Sequence, residues 1–140
     1  MTGQTITVEA TIAAPVQDAW RVFTTPEHIT RWNFANDDWC CPHAEVDLRP
    51  GGKQKSRMEA KDGSMGFDFE GTYEEVVPLR SITLVLDNGR RSRTTFDETA
   101  DGTMVKTTFD ADLQHPLDMQ RDGWQAILDN FAAHVDRMSG

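Results

Sequence analysis

The chain has 140 residues and carries 23 acids against 14 bases, a net charge of −9. That balance repels phosphate backbones and anionic lipid headgroups, so nucleic acid and membrane surfaces are not expected partners. No apolar run approaches the ~18 residues that a spanning helix needs, and the only cysteines, Cys40 and Cys41, are adjacent, which excludes a disulfide framework. The length suits one domain over 1–140 with a single core. The opening MTGQTITVEA has neither the basic nor the apolar stretch of a secretory signal, so the cytoplasm is the default location.

Residues 5–12, TITVEATI, alternate cleanly and predict a half-buried strand with Ile6, Val8, Ala10 and Ile12 on one face. Pro15 then opens a helix with Val16, Ala19, Trp20 and Phe23 on one stripe, read as core. Thr25-Pro26 has the form of an N-cap and first helical residue, starting a short second helix that presents Ile29 and Trp32. Beyond residue 43 the period changes to two. Ala44, Val46 and Leu48 alternate up to Pro50-Gly51-Gly52, and strands are predicted over 53–60, 65–76, 82–86, 91–98 and 103–111. Lys61-Asp62-Gly63-Ser64, Asn88-Gly89 and Asp101-Gly102 are turn signals between them. A long helix begins at Pro116, with Leu117, Trp124, Leu128, Phe131 and Val135 on an apolar stripe and Ile127 beside it. One antiparallel sheet covering this helix is an α+β arrangement.

The inward faces of the strands are not those of a solid core. Gln54, Ser56, Met58 and Ala60 share one face of 53–60, opposite Lys53, Lys55, Arg57 and Glu59. Residues 91–98 offer Ser92, Thr94 and Phe96, and 103–111 offer Val105, Thr107 and Phe109. Burying hydroxyls and amides without partners costs a few kcal/mol each. A cavity holding water or a ligand would satisfy them, and so would wet edge strands; the pattern alone leaves both open. Gly123, beside Trp124, is likewise open between close backbone approach, a bend over a cavity, and simple tolerance of a glycine.

The stretch Asn36–His43, NDDWCCPH, concentrates reactive side chains. Cys40, Cys41 and His43 are too close together to share a tetrahedral metal ion, and there is no second cluster. His43 acting as base for a cysteine is opposed by Asp37 and Asp38, whose charge disfavours thiolate. The preferred reading is a loop that carries Trp39 over a cavity mouth, with the cysteines packing. His134, near the end of the last helix, is read as a cation complementing the helix dipole. Asp62, Asp68, Glu70, Glu74 and Glu75 are read as a solvated sheet face, and His115 as a boundary residue.

APVQDAWRVFTTPEHITRW after the first strand, then DLRPGGK, FEGTYEEVVP and GWQAILDNFAAHV, resemble in order and spacing the START-like (SRPBCC) superfamily. The nearer resemblance is to the family related to the C-terminal domain of the activator of heat-shock protein 90 ATPase, and it covers nearly the whole chain. It implies a helix-grip fold, an antiparallel sheet wrapped around a long C-terminal helix and enclosing a cavity. It also implies wall positions: Trp32 at the mouth, Phe67, Phe69 and Tyr73 on one strand, and Trp124, Leu128 and Phe131 on the grip helix. Many relatives carry an aromatic residue where this chain has Gln54, which implies a roomier or more polar cavity here. No shared catalytic set can be carried over.

The resulting expectation is a binding protein for a small hydrophobic molecule, lipid-like or polyketide-like, with no cofactor and no metal. Trp39, Gln54, Ser56 and Met58 join the seven residues just named as its contacts, and Gln54, Ser56 and Thr107 orient the ligand. One alternative is a cyclase-like or hydratase-like enzyme drawing on His43, Tyr73 or Arg57 as acid and base. The last is a chaperone ATPase-associated interaction protein. A homodimer stays open.

Overall fold

A computed structural model describes residues 4–86, 89–112 and 115–139. These form strand β1 (Thr5–Ile12), helices α1 (Val16–Thr24) and α2 (Pro26–Trp32), and strands β2 (Trp39–Val46), β3 (Lys53–Ala60) and β4 (Gly66–Val77). Strands β5 (Ser81–Leu86), β6 (Arg91–Thr99) and β7 (Gly102–Asp110) follow, then helix α3 (Leu117–Ser139). The strands make one antiparallel sheet in the order β1-β7-β6-β5-β4-β3-β2, so every strand from β2 to β7 pairs with its chain neighbour and β1 closes onto β7. The alternation and the terminal amphipathic stretch predict the α+β arrangement, and the helix-grip form is the one that the family resemblance implies.

Bulges between Cys40 and His43 in β2 and between Tyr73 and Glu75 in β4 bend the strands. An inserted residue adds local twist, which helps the sheet curl around α3. Gly51, Gly63 and Gly89 turn with positive φ of 85°, 80° and 86°, a backbone state that costs glycine nothing sterically. Asn88, half of the turn signal between β5 and β6, lies outside the described residues. Gly102 cannot be replaced easily, because a β-carbon there would collide with the backbone of Ile12.

Side chains of α3 fasten the helix to its surroundings. Gln125 donates to the Glu9 carbonyl at 2.9 Å and accepts from the Glu9 N–H at 3.3 Å, covering part of the exposed edge of β1. Asn130 donates to the carbonyls of Trp32 and Phe34 at 3.3 and 3.1 Å, satisfying groups left over at the end of α2. The dry core lies where α1, α2 and the second half of α3 meet the sheet: Ile12, Val22, Ile29, Val105, Phe131 and Val135 are all within 1% of complete burial.

Three local expectations need correction. The segment from Trp39 to His43 is strand, not loop, and β2 ends at Val46, leaving Leu48 beyond it. Leu117 lies off the buried stripe of α3 and is exposed. His134 is not a solvated cation, because burial, followed by the nearby positive groups of His28, Arg137 and Arg31, lowers its pKa from the ordinary 6.5.

Candidate ligand cavity

A cavity of about 250 Å³ lies between the sheet and the helices. Helix α3 gives it Trp124, Ile127 and Leu128; α1 and the end of α2 give Phe23, Trp32 and Asn33. Strands β3 and β4 contribute Gln54, Met58, Phe67 and Phe69, while β5 contributes Ile82 and Leu84. The floor is Ser92 and Thr94 from β6, Thr107 from β7 and Val8 from β1. The open side passes Phe67, which lines the cavity although it is 50% exposed.

Period two explains the floor. Cross-strand pairing runs Val8 to Thr107, Thr107 to Thr94 and Thr94 to Ile82, one row of side chains on the inner face. The wet-edge reading of these strands therefore fails: β3, β6 and β7 are all interior to the sheet, and their mixed-polarity faces point inward. The hydroxyls of Thr94 and Thr107 are hydrogen-bonded to each other at 2.8 Å.

Of the contacts expected from sequence, Trp32, Gln54, Met58, Phe67, Phe69, Trp124 and Leu128 reach the wall. Trp32 presents its ring only, since its indole N–H donates to the Val22 carbonyl at 3.1 Å. Trp124 is held flat against Phe109, with ring centroids 3.9 Å apart, and edge-on to Phe69 at 6.4 Å. The other four stand behind the wall. Trp39 packs edge-on against Phe67 at 6.1 Å. Tyr73 is buried under Leu84, its cross-strand partner, and its hydroxyl donates to Gln54 Oε1 at 3.3 Å. Phe131 is fully buried against Phe23 and Trp32. Ser56 is fully buried, its hydroxyl beside the Cys41 thiol without a well-formed hydrogen bond.

Sequence reasoning missed Phe23, taken as pure core. It stacks on Trp32 at 5.4 Å but also turns an edge to the cavity. Ile82, Leu84, Ser92, Thr94 and Ile127 were legible as inward positions without being assigned to a site. Asn33, just past α2, gave no signal. Gly71 matters by omission: a β-carbon there would press on the Leu84 side chain at 2.6 Å and drive it toward the hollow.

The ionisable groups lie away from the cavity. Burial, with Asp47 adding to it, holds the Tyr73 phenol far above its usual range, so it remains a neutral donor. Burial also raises Cys41 and keeps it a thiol, whose Sγ donates to the His43 carbonyl at 3.5 Å. The His43 ring itself is on the outer face, 3.3 Å from Glu45, because the β2 bulge separates it from Cys41. It is therefore not placed as base for that thiol. Arg57 is also outside, paired with Glu59 at 2.8 Å and Asp68 at 3.5 Å. Among the described residues, no Asp, Glu, His, Lys, Arg, Cys or Tyr side chain lines the hollow, and no group of three or more potential metal ligands is present. No helix among them is long and apolar enough to cross a membrane.

Comparison with known proteins agrees with this architecture. The family model described as activator of Hsp90 ATPase homolog 1-like protein matches residues 13–136. A solution structure of an AHSA1-like protein from Aeromonas hydrophila is 40% identical with a TM-score of 0.92, covering 97% of this chain and 94% of that one. A solution structure from Cytophaga hutchinsonii is 35% identical with a TM-score of 0.79, covering 98% and 94%. A crystal structure from Nitrosomonas europaea shares the fold at 21% identity and a TM-score of 0.84, covering 96% of each chain. No curated protein is detectably similar. With the matched region spanning nearly all its elements, the chain belongs to the activator of Hsp90 ATPase homolog 1-like family, within the START-like superfamily.

Proposed function

We propose that the protein binds one small, mainly apolar molecule in the hollow between sheet and helices. The observation that supports this is a cavity of about 250 Å³ whose walls are apolar and aromatic except for a few uncharged polar groups. Ligand sites have this composition: apolar surface for affinity and a small number of polar atoms for orientation. Size narrows the guest. A dry apolar cavity of ~150 Å³ takes up benzene, so this hollow, open on one side, suits an aromatic compound of two or three rings better than a sterol or a long acyl chain. The lack of an ionisable side chain on the described walls favours binding over acid–base catalysis, which needs such a group within reach of the reacting atoms.

The uncharged dye N-phenyl-1-naphthylamine tests this reading by its fluorescence. The wild-type chain should bind one dye per molecule. Ile127→Trp, which fills the hollow from the helix side, should weaken binding at least tenfold while the circular dichroism spectrum is kept. Equal binding by both proteins, or none by the wild type, would sink the proposal.

A further inference from the structure

The polar groups of the wall are unevenly committed. The Trp32 indole N–H is used by the Val22 carbonyl, and Gln54 Oε1 accepts from Tyr73. Thr103, buried on the same strand as Thr107, donates to the Ala14 carbonyl at 2.8 Å. At the floor the position differs. Thr94 and Thr107 bond to each other, so one hydroxyl proton of the pair is used and the other is not. Ser92, on the same face of β6, lines the cavity and has no hydrogen-bond partner among the described residues. All three residues are less than 9% exposed.

Valine would fill each threonine position at the same size without a hydroxyl to desolvate. The same two strands do use apolar residues where they face the packed end: Phe96 and Val105, at 3% and 0% exposure. The hydroxyl at that packed end, Thr103, is spent on a backbone carbonyl, whereas Ser92, Thr94 and Thr107 face empty space. The proton left over from the threonine pair and the Ser92 hydroxyl call for a group that both donates and accepts. No charged side chain among the described residues lines the hollow to balance an ionised one.

We propose that the polar end of the bound molecule is an uncharged hydroxyl, a phenol or alcohol, seated on the hydroxyls of Thr94, Thr107 and Ser92. This rests on the ligand-binding role proposed above. The molecule enters oxygen first, with its ring body between Trp32 and Trp124. Carboxylates and ammonium groups are rejected because their desolvation is left uncompensated.

Three probes of nearly one shape separate the cases by calorimetry: 2-naphthol, 2-methylnaphthalene and 2-naphthoate. The phenol should bind about tenfold tighter than the methyl compound, the equivalent of ~1.4 kcal/mol, and the carboxylate at least tenfold weaker than the phenol. In the triple variant Ser92→Ala/Thr94→Val/Thr107→Val the ratio of phenol to methyl affinity should fall to about one, whereas Thr94→Ser/Thr107→Ser, which keeps all three hydroxyls, should retain it. Equal affinity for all three probes, or a preference surviving the triple variant, overturns the inference. If N-phenyl-1-naphthylamine binds while the phenol preference is absent, only the oxygen seat is wrong. If neither dye nor probes bind, the cavity role falls with it.

Discussion

The two halves of α3 face the same sheet and end in opposite conditions. Its second half buries Phe131 and Val135 to 0% and 1% exposure, Phe131 against rings from α1 and α2. In its first half, Trp124 and Ile127 remain half-buried and border the hollow. The helix is continuous through both, so the difference comes from what lies opposite. Helices α1 and α2 insert Val22, Ile29 and Trp32 beside the second half. The first faces the hollow, which Thr94, Thr107 and Gln54 of the sheet line together with Phe23 and Trp32. One end of the helix is packed solid, and the other borders a hollow.

The largest effect should come from cutting the packed end. Phe131→Ala removes a ring in contact with Phe23 and Trp32 and should cost about 3–5 kcal/mol in urea unfolding. The equivalent cut at the hollow end, Phe67→Ala, touches a ring that is 50% exposed and should change stability by less than about 1 kcal/mol. It should nevertheless weaken N-phenyl-1-naphthylamine binding several-fold. If the two substitutions destabilise equally, the contrast between the halves is wrong.

A second prediction concerns pH at the packed end. His134 of α3 is 9% exposed, with its Nε2 3.2 Å from His28 Nδ1 on α2. Arg31 on α2 and Arg137 on α3 are the other charged groups acting on it. Its folded-state pKa is lowered, mainly by burial, so the unfolded chain takes up the proton first. The stability held by the neutral ring is complete above about pH 6.5. It declines as pH falls toward the lower folded value, and changes no further once both states are protonated. Urea midpoints measured from about pH 8 to about pH 5 should fall for the wild type. They should fall less for His134→Gln. Parallel profiles for the two proteins would remove His134 as a cause.

How far the sequence revealed this contrast depends on which residues carry it. Strands β3 to β7 and α3 were legible because strict alternation and 3.6-residue spacing survive in them almost unbroken. The start of β2 was not, because Pro42 and the bulge between Cys40 and His43 interrupt the period that marks a strand. Proline is tolerated there because β2 is an edge strand. Phe67 and Phe131 cannot be told apart in the sequence. Each is an aromatic on an apolar face, and one becomes mouth and the other core only through what packs opposite. The hydroxyls of Thr94 and Thr107 were visible as an anomaly, but their mutual hydrogen bond depends on the β6–β7 register. His134 was misjudged because position near a helix end suggests a dipole partner, whereas its burial depends on α2.

The smallest predicted effect bears on whether the hollow half of α3 is held open by the helix itself. Gly123 precedes Trp124 within α3, and a β-carbon built on it meets nothing within 4 Å. Close backbone approach is therefore not its reason, which leaves a bend over the cavity or simple tolerance of a glycine. Gly123→Ala should raise stability by up to about 1 kcal/mol, a melting shift of roughly 4 °C for a chain of this size. Dye affinity should not change, because Trp124 stays pinned against Phe109. A stabilised variant that had lost dye binding would mean that a bend at Gly123 shapes the cavity, and that the hollow is not set by the packing around the helix alone.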